Sequence, residues 1–317
     1  ALRSMVTYML FFVTVMLYMS MKKTDLSGHL HQELLRDLII EEEFVYSDTH
    51  IRKSFHDIAT VEEFWQFMQG PLANGLFPSE DIVPSGIGAV YSTSLLLGNV
   101  RLMQARMRQA SMESCIYPPN MGSRMEKLGC YLDYTSSKRQ GYHSKEAYGP
   151  KANSTAFADY NVSDCFTYTP ASNYGMITNF LSTREGYTLG HSFDINGHSC
   201  DMNYANGTNF HGSLQVLRKM NWIDLETRFV AVIFTVLNPS KGIVTSVVLQ
   251  IEIPVTGGCI PRYTFSTHYL TSMMPLSFRL ILYSLWTLCT LFLLGYIAGE
   301  IFDLYSFGIK AYFMDVW

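Results

Sequence analysis

The stretch from Leu280 to Ile301, LILYSLWTLCTLFLLGYIAGEI, runs without a charge until Glu300. A helix crossing a bilayer needs about 20 mostly apolar residues, because the hydrocarbon layer is about 30 Å thick and a helix rises about 1.5 Å per residue. This stretch has that length. A second apolar run, Val6 to Met19 (VTYMLFFVTVMLYM), lies near the other end of the chain. It is shorter and reads as a truncated span. Between the two lies a polar, cysteine-bearing segment. The expected order is therefore a first transmembrane helix over 1–22, an extracellular or lumenal domain over 23–275, a second transmembrane helix over 276–304, and the start of a cytoplasmic linker over 305–317.

A signal peptide is the rival reading of the first run, with Arg3 as its charged start. No small-residue cleavage site follows, since the chain continues YMSMKK. A buried core helix would show a polar face, and this run has none. Lys22 and Lys23 fall on the outer side of the first span, against the positive-inside preference, but that preference does not govern loops this long.

The net charge of −4 and the lack of a basic tract give no reason to expect nucleic acid. The six cysteines are Cys115, Cys130, Cys165, Cys200, Cys259 and Cys289. Cys289 lies within the second span and reads as a buried free thiol. The others are spaced too widely for a zinc ribbon or a C-x-x-C redox pair, so disulfides and an oxidising compartment are the better reading. Cys115 with Cys130 is the favoured pair and Cys165 with Cys200 a second candidate; Cys259 stays unassigned. Three sequons agree with a lumenal or external face: Asn153 (N-S-T), Asn161 (N-V-S) and Asn206 (N-G-T). N-glycans are expected on them, and no other cofactor.

Helical spacing of Leu34, Leu35, Leu38 and Ile39 predicts a helix over 28–47. Thr60-Val61-Glu62-Glu63 is a capping box opening a helix whose buried side is Val61, Phe64, Trp65 and Met68, with Gly70-Pro71 as its stop. The run 95–107 is strand-like. The segment 110–171 reads as short strands and long loops, and Ser213 to Asn221 as a short amphipathic helix. Phe229 to Val236 (FVAVIFTV) and Ile243 to Ile253 (IVTSVVLQIEI) are β-branched runs joined by a turn at Asn238-Pro239-Ser240-Lys241-Gly242. They predict a long hairpin with Val247, Leu249, Ile251 and Ile253 on its one buried face, and Gln250 and Glu252 on the other. The fold class is thus α+β: a few helices on a mostly antiparallel sheet, between two membrane helices.

Enzymatic and metal-binding readings lack support. His191, His198, Cys200 and Asp201 form the one metal-like cluster, but their spacing matches no established zinc site. Asp194-Ile195-Asn196-Gly197 resembles part of a calcium loop without its third oxygen ligand or closing Glu. No G-x-S-x-G, Walker or H-E-x-x-H motif occurs. Glu300 and Asp303 fit a cytoplasmic headgroup layer better than a cation held between helices. Tyr283, Trp286 and Tyr296 read as packing or interfacial anchors.

Five blocks in order carry a family resemblance: FWQFMQGPLANGLF (64–77), LLLGNVRLMQARMR (95–108), GPKANSTAF (149–157), NWIDLETR (221–228) and IEIPVTGGCIP (251–261). Lying between two spans, they resemble the polycystins, a branch of the TRP channels, and their close spacing favours the polycystin-2-like branch over the polycystin-1-like one. The resemblance implies a multi-pass subunit of a calcium-permeable, non-selective cation channel, with calcium a permeant ion and not a bound cofactor. It implies that this domain is a lid used in tetramer assembly and gating, and that the pore lies in residues not shown. The family's disulfide maps onto Cys115 and Cys130, and a family glycosylation position onto Asn153. Implied partners are other polycystin subunits, in a homotetramer or hetero-tetramer, the lipid bilayer, and extracellular matrix or an adhesion protein. Implied addresses are the cilium or flagellum and the plasma membrane, with the endoplasmic reticulum as an alternative. Met103 stands where many members carry a basic residue, and Cys259 replaces an aliphatic residue. A membrane-anchored, glycosylated adhesion or receptor subunit without conduction of its own is the competing reading.

Overall fold

A computed structural model describes residues 2–23, 26–46, 51–77, 89–90, 94–110, 129–131, 144–149, 162–169, 184–186, 191–193, 197–202, 207–270 and 276–307. The chain divides into two compact units, Ala1–Leu30 with Tyr269–Trp317, and His31–His268.

The first unit is built on α1 (Leu2–Lys23) and α6 (Leu276–Phe307). At 32 residues α6 is about 48 Å long, more than a hydrocarbon layer requires. Among the described residues, Arg279–Ser306 is the one helix long and apolar enough to cross a membrane; the apolar part of α1, Thr7–Ser20, is shorter. Phe11 of α1 packs edge-on against Phe292 and Tyr296 of α6, with ring centroids 6.0 and 5.8 Å apart. Tyr296 is thus a packing residue.

The second unit is α+β, as its sequence predicts. In chain order it contains α2 (Leu26–Ile39, which begins in the first unit), β1 (Phe44–Tyr46), β2 (Ile51–Lys53), α3 (Val61–Phe67), α4 (Ala73–Leu76), β3 (Ala89–Val90), β4 (Ser94–Leu96) and β5 (Val100–Arg106). After these come β6 (Tyr168–Thr169), β7 (Arg184–Gly186), β8 (His191–Phe193), β9 (Gly197–Met202), α5 (Gly207–Lys219), β10 (Thr227–Asn238), β11 (Ile243–Glu252) and β12 (Ile260–Tyr269). An eight-stranded sheet runs β12-β11-β10-β5-β9-β6, with β4 on β10 and β3 on β4. The registers of β10 with β4, β5 and β11, of β5 with β9, and of β9 with β6 are all antiparallel.

The β10–β11 hairpin organises this sheet. Its register pairs Asn238 with Ile243, which leaves Pro239 to Gly242 of the predicted turn between them. Gly242 takes φ 63°, a left-handed conformation that only glycine adopts freely, and the Lys241 amide donates to Asn238 Oδ1 at 3.2 Å. One face of the sheet meets α2, α3, α4 and α5 in a core that includes Leu35, Phe64, Trp65, Leu102, Phe210, Trp222, Val247 and Leu249.

Four local expectations are corrected. Helix α2 ends at Ile39 instead of continuing to Ser47, because Phe44 pairs with Lys53 in a small ribbon. Gly70-Pro71 does not stop α3: Met68–Leu72 forms a wide π turn leading into α4. Proline removes an amide donor from the ladder, and a π turn accommodates that loss without ending the helix. Helix α5 starts at Gly207, earlier than its apolar spacing indicated. Finally, the hairpin is covered on both faces at one end, since Gln250 and Glu252 are buried. Met103, Ala105, Met107, Phe229 and Ala231 form a second, smaller cluster on the sheet face away from the main core.

Candidate functional site

Alternation along β5 places Val100, Leu102, Gln104 and Arg106 on the core face and Arg101 on the opposite one. The two arginines therefore have different surroundings. Arg101 pairs across the strands with Asp201, Nε to Oδ1 at 2.6 Å, in a partly exposed position. The Arg106 side chain is only 3% exposed. Its Nη2 donates to Asp224 Oδ2 at 2.7 Å and to Glu226 Oε2 at 3.1 Å. Its guanidinium lies 3.5 Å over the ring of Tyr148, a cation–π stack in a dry setting.

The local fold presents these partners. Helix α5 ends in a Schellman motif: the Trp222 amide donates to Leu217 O at 3.0 Å and the Asn221 amide to Arg218 O at 3.1 Å. Asn221 takes the left-handed turn at φ 51°. That turn drives Trp222 inward, where Nε1 donates to Cys165 O at 2.9 Å. The next residues form a compact acidic loop. Asp224 Oδ1 accepts the Glu226 amide at 3.0 Å and the Thr227 hydroxyl at 3.2 Å.

Around this loop the polar groups are nearly all matched. Tyr148 Oη donates to Trp222 O at 2.8 Å, and Gln104 Nε2 donates to Trp222 O at 3.1 Å and to Tyr148 Oη. The Thr227 hydroxyl also lies 2.9 Å from Gln104 Oε1. His198, fully buried on β9, donates from Nε2 to Glu146 O at 2.9 Å, which leaves Nδ1 as an acceptor without a partner. Arg106 Nε and Nη1 are likewise unpartnered. Burial pushes the Tyr148 hydroxyl well above the ordinary tyrosine range. Burial also holds His198 below its ordinary value, and the Arg106 charge adds to this. Desolvation opposes the charge on Arg106, yet the surrounding Tyr148, Asp224 and Glu226 raise its pKa overall. The ring is thus neutral, the phenol protonated and the guanidinium charged at physiological pH.

This joint gathers blocks that are far apart in sequence. Residues 95–108 supply Gln104 and Arg106, residues 221–228 supply Trp222 and the acidic loop, and Tyr148 immediately precedes the third block. Trp65 of the first block meets Trp222 edge-on at 6.4 Å. The Cys165–Cys200 disulfide, with Cα atoms 4.5 Å apart, closes the same region.

The fifth block docks at a second joint. Thr60 Oγ1 accepts the Glu63 amide at 3.2 Å, as the capping box predicts. Glu63 is buried and accepts from Lys53 Nζ at 2.8 Å and from the amides of Ala59 and Thr60 at 2.7 and 3.3 Å. Burial opposes the charge on Glu63, but Lys53 and the two amides outweigh it and lower its pKa. The amide of Cys259, at the end of the T-G-G-C turn, donates to Ala59 O at 2.8 Å. Cys259 is a free, buried thiol, and burial beside Glu63 pushes its pKa up to about 12. It is chemically inert there.

Of the residues singled out in the sequence, Cys130 is disulfide-bonded and its carbonyl accepts the Ala110 amide at 2.7 Å; Cys115 lies outside the described residues. Asn153, Asn161 and Asn206 also lie outside them, as do Asp194, Ile195 and Asn196. Cys289 is a free thiol on α6, within the membrane-length helix. His198 and Cys200 are committed to the network and the disulfide, and Asp201 to Arg101; the His191 side chain lies outside what is described. No group of three metal-binding side chains occurs among the described residues. Sequence reasoning missed Arg106, Tyr148, Asp224 and Glu226. The alternation of β5 was the signal that could have separated Arg106 from its neighbours.

Comparison with known proteins fits this arrangement. The chain is 27% identical over 331 residues to Polycystin-2 of Danio rerio, covering 100% of this chain and 32% of that protein. It is 25% identical over 324 residues to Polycystin-2-like protein 1 of Homo sapiens, covering 100% and 36%. The chain thus spans about a third of the length of these curated relatives. A shorter stretch is 46% identical over 54 residues to Polycystin-1-like protein 1 of Homo sapiens, 17% of this chain and 2% of that protein. Residues 54–271, which contain both joints apart from Lys53, match the family model of the Polycystin domain, and the chain belongs to that family.

Proposed function

We propose that this chain is the lid-bearing part of a subunit of a polycystin-type, calcium-permeable, non-selective cation channel. The observation that carries the reading is the Polycystin domain match over residues 54–271, followed in the chain by a helix of membrane-spanning length. The lid would sit on the extracellular or lumenal side, carry N-glycans at Asn153, Asn161 and Asn206, and be cross-linked at Cys115–Cys130. Four such domains, from the same or related subunits, would ring the pore axis. Their mutual contacts would bias the pore between closed and open arrangements, a two-state coupling through subunit interfaces. The chain would take no cofactor, and calcium would pass without a resident site here. The cilium or plasma membrane is the proposed address.

The test is electrophysiology on the full-length subunit. Cys115→Ser should lower both the yield of cross-linkable tetramer and the cation current. Normal assembly with normal current would refute a need for the cross-linked segment. A full-length protein that reaches the membrane and conducts in no combination with related subunits would refute the channel reading.

One alternative stands beside it: a membrane-anchored, glycosylated adhesion or receptor subunit without conduction of its own. The two diverge beyond Trp317, where the channel requires four further apolar spans and a re-entrant segment before the last.

A further inference from the structure

Helix α2 meets the sheet through a polar cluster that its apolar stripe does not require. His31 is 7% exposed. Its Nδ1 lies 2.9 Å from Thr245 Oγ1 and its Nε2 3.3 Å from Ser94 Oγ. Thr245 Oγ1 is 2.9 Å from Thr267 Oγ1, which accepts from Gln32 Nε2 at 2.8 Å. The cluster ties α2 to β4, β11 and β12. His31 and Gln32 are the first two residues of the His31–His268 unit, and Thr267 is its last but one. These bonds therefore join the point where the chain enters the domain to the point where it leaves.

We propose that this cluster is a proton-operated clasp on α2. With His31 neutral, the ring bridges Thr245 and Ser94 and holds the helix on the sheet. With His31 protonated, an uncompensated charge lies among hydroxyls and the helix is released.

The hydrogen-bond inventory supports this. A neutral imidazole offers one donor and one acceptor, and hydroxyls can answer either. An imidazolium offers two donors, so both hydroxyls must accept, yet neither brings a negative charge. A buried charge is costly unless it is paired. The other charged or titratable groups on the packed elements do not supply one. On α2, His29, Glu33, Arg36 and Asp37 are exposed. On β12, Arg262 and His268 alternate to the face opposite Thr267, Tyr263 and Tyr269 on its face bring phenols and no carboxylate, and Glu252 lies at the far end of β11 from Thr245. Arg228 is at the far end of β10, and β3 and β4 carry no charge. Burial holds the His31 ring below its ordinary value of 6.5, with no charged neighbour contributing. The released ring thus takes up a proton that the clasped ring refuses. The clasp is at full strength above pH 6.5 and weakens as pH falls below it, until the clasped ring itself titrates.

None of this depends on whether the subunit conducts. The test is hydrogen exchange on the 317-residue chain in lipid nanodiscs, corrected for intrinsic rates, between pH 8 and pH 5. Relative to amides of β10, those of α2 should lose about threefold or more of their protection on acidification. His31→Gln, which stays neutral, should abolish that pH dependence, and Thr245→Val should weaken α2 protection at every pH. An unchanged pH profile in His31→Gln would overturn the proposal. Should His31→Gln fail to fold, the wild-type His31 ring resonance decides: a midpoint below 6.5 supports the clasp, and one at or above 6.5 overturns it.

Discussion

Arg106 shows how much can hang on one side chain. Its cation stacks on Tyr148 and pairs with two acids of the loop that follows Trp222. Breaking a buried ion pair by removing one partner costs about 3–5 kcal/mol, and the partial exposure of Asp224 and Glu226 reduces that here. Arg106→Leu should therefore lower unfolding stability by about 2–3 kcal/mol in denaturant titrations, and Arg106→Lys should recover only part of it. Arg101→Leu, whose pair with Asp201 is partly exposed, should cost under about 1 kcal/mol in the same titration. At Cys165, substitution by Ser opens a cross-link that closes a separation of 35 residues, and the loss should be about 3–4 kcal/mol by the same measurement. Thr60→Ala should cost about 1 kcal/mol through the lost cap. The cap was legible because its chemistry is local, residues 60 to 63. Arg106 was not: LLLGNVRLMQARMR contains three arginines that look alike until a strand's alternation sends one of them inward.

At the scale of elements, the β10–β11 hairpin was legible because two β-branched runs flank a turn that fixes their register. Its partners were not, since cross-strand neighbours such as β5 and β9 lie far away in sequence. Gly197 at the start of β9 makes that pairing specific. A Cβ there would sit 2.3 Å from the backbone oxygen of Gln104, and backbone cannot swing aside. Gly197→Ala should separate β9 from β5 at that end and cost about 3 kcal/mol, visible as lost exchange protection along β9. Helix α3 gives the opposite lesson. Gly70-Pro71 has the sequence of a stop, yet the helix continues through a π turn, because the core contacts of Met68, Leu72 and Leu76 outweigh a local breaker.

For the molecule as a whole, acid should act in two stages. Between about pH 7 and 5 stability is lost through His31 and His198, both depressed by burial, as the unfolded chain takes up protons the folded chain refuses. Glu63 and Asp57 have lowered pKa values in the fold, Glu63 through Lys53 and two amides despite its burial, and Asp57 chiefly through Ser54. Their contribution is complete above the ordinary carboxylate range and disappears as pH falls through their depressed values. Unfolding measured from pH 8 to pH 2 should show both stages, with His31→Gln removing only part of the first.

Hydrophobic length and β-branched runs were sufficient to announce a membrane-length helix and a hairpin, because each is a property of contiguous residues. Five short blocks in order were sufficient for the family. Which arginine is buried, that Gly70-Pro71 continues a helix, and that His31 meets Ser94, Thr245 and Thr267 needed the folded chain. Those facts depend on residues brought together from distant parts of the sequence, where burial changes the balance between charge, hydrogen bond and water.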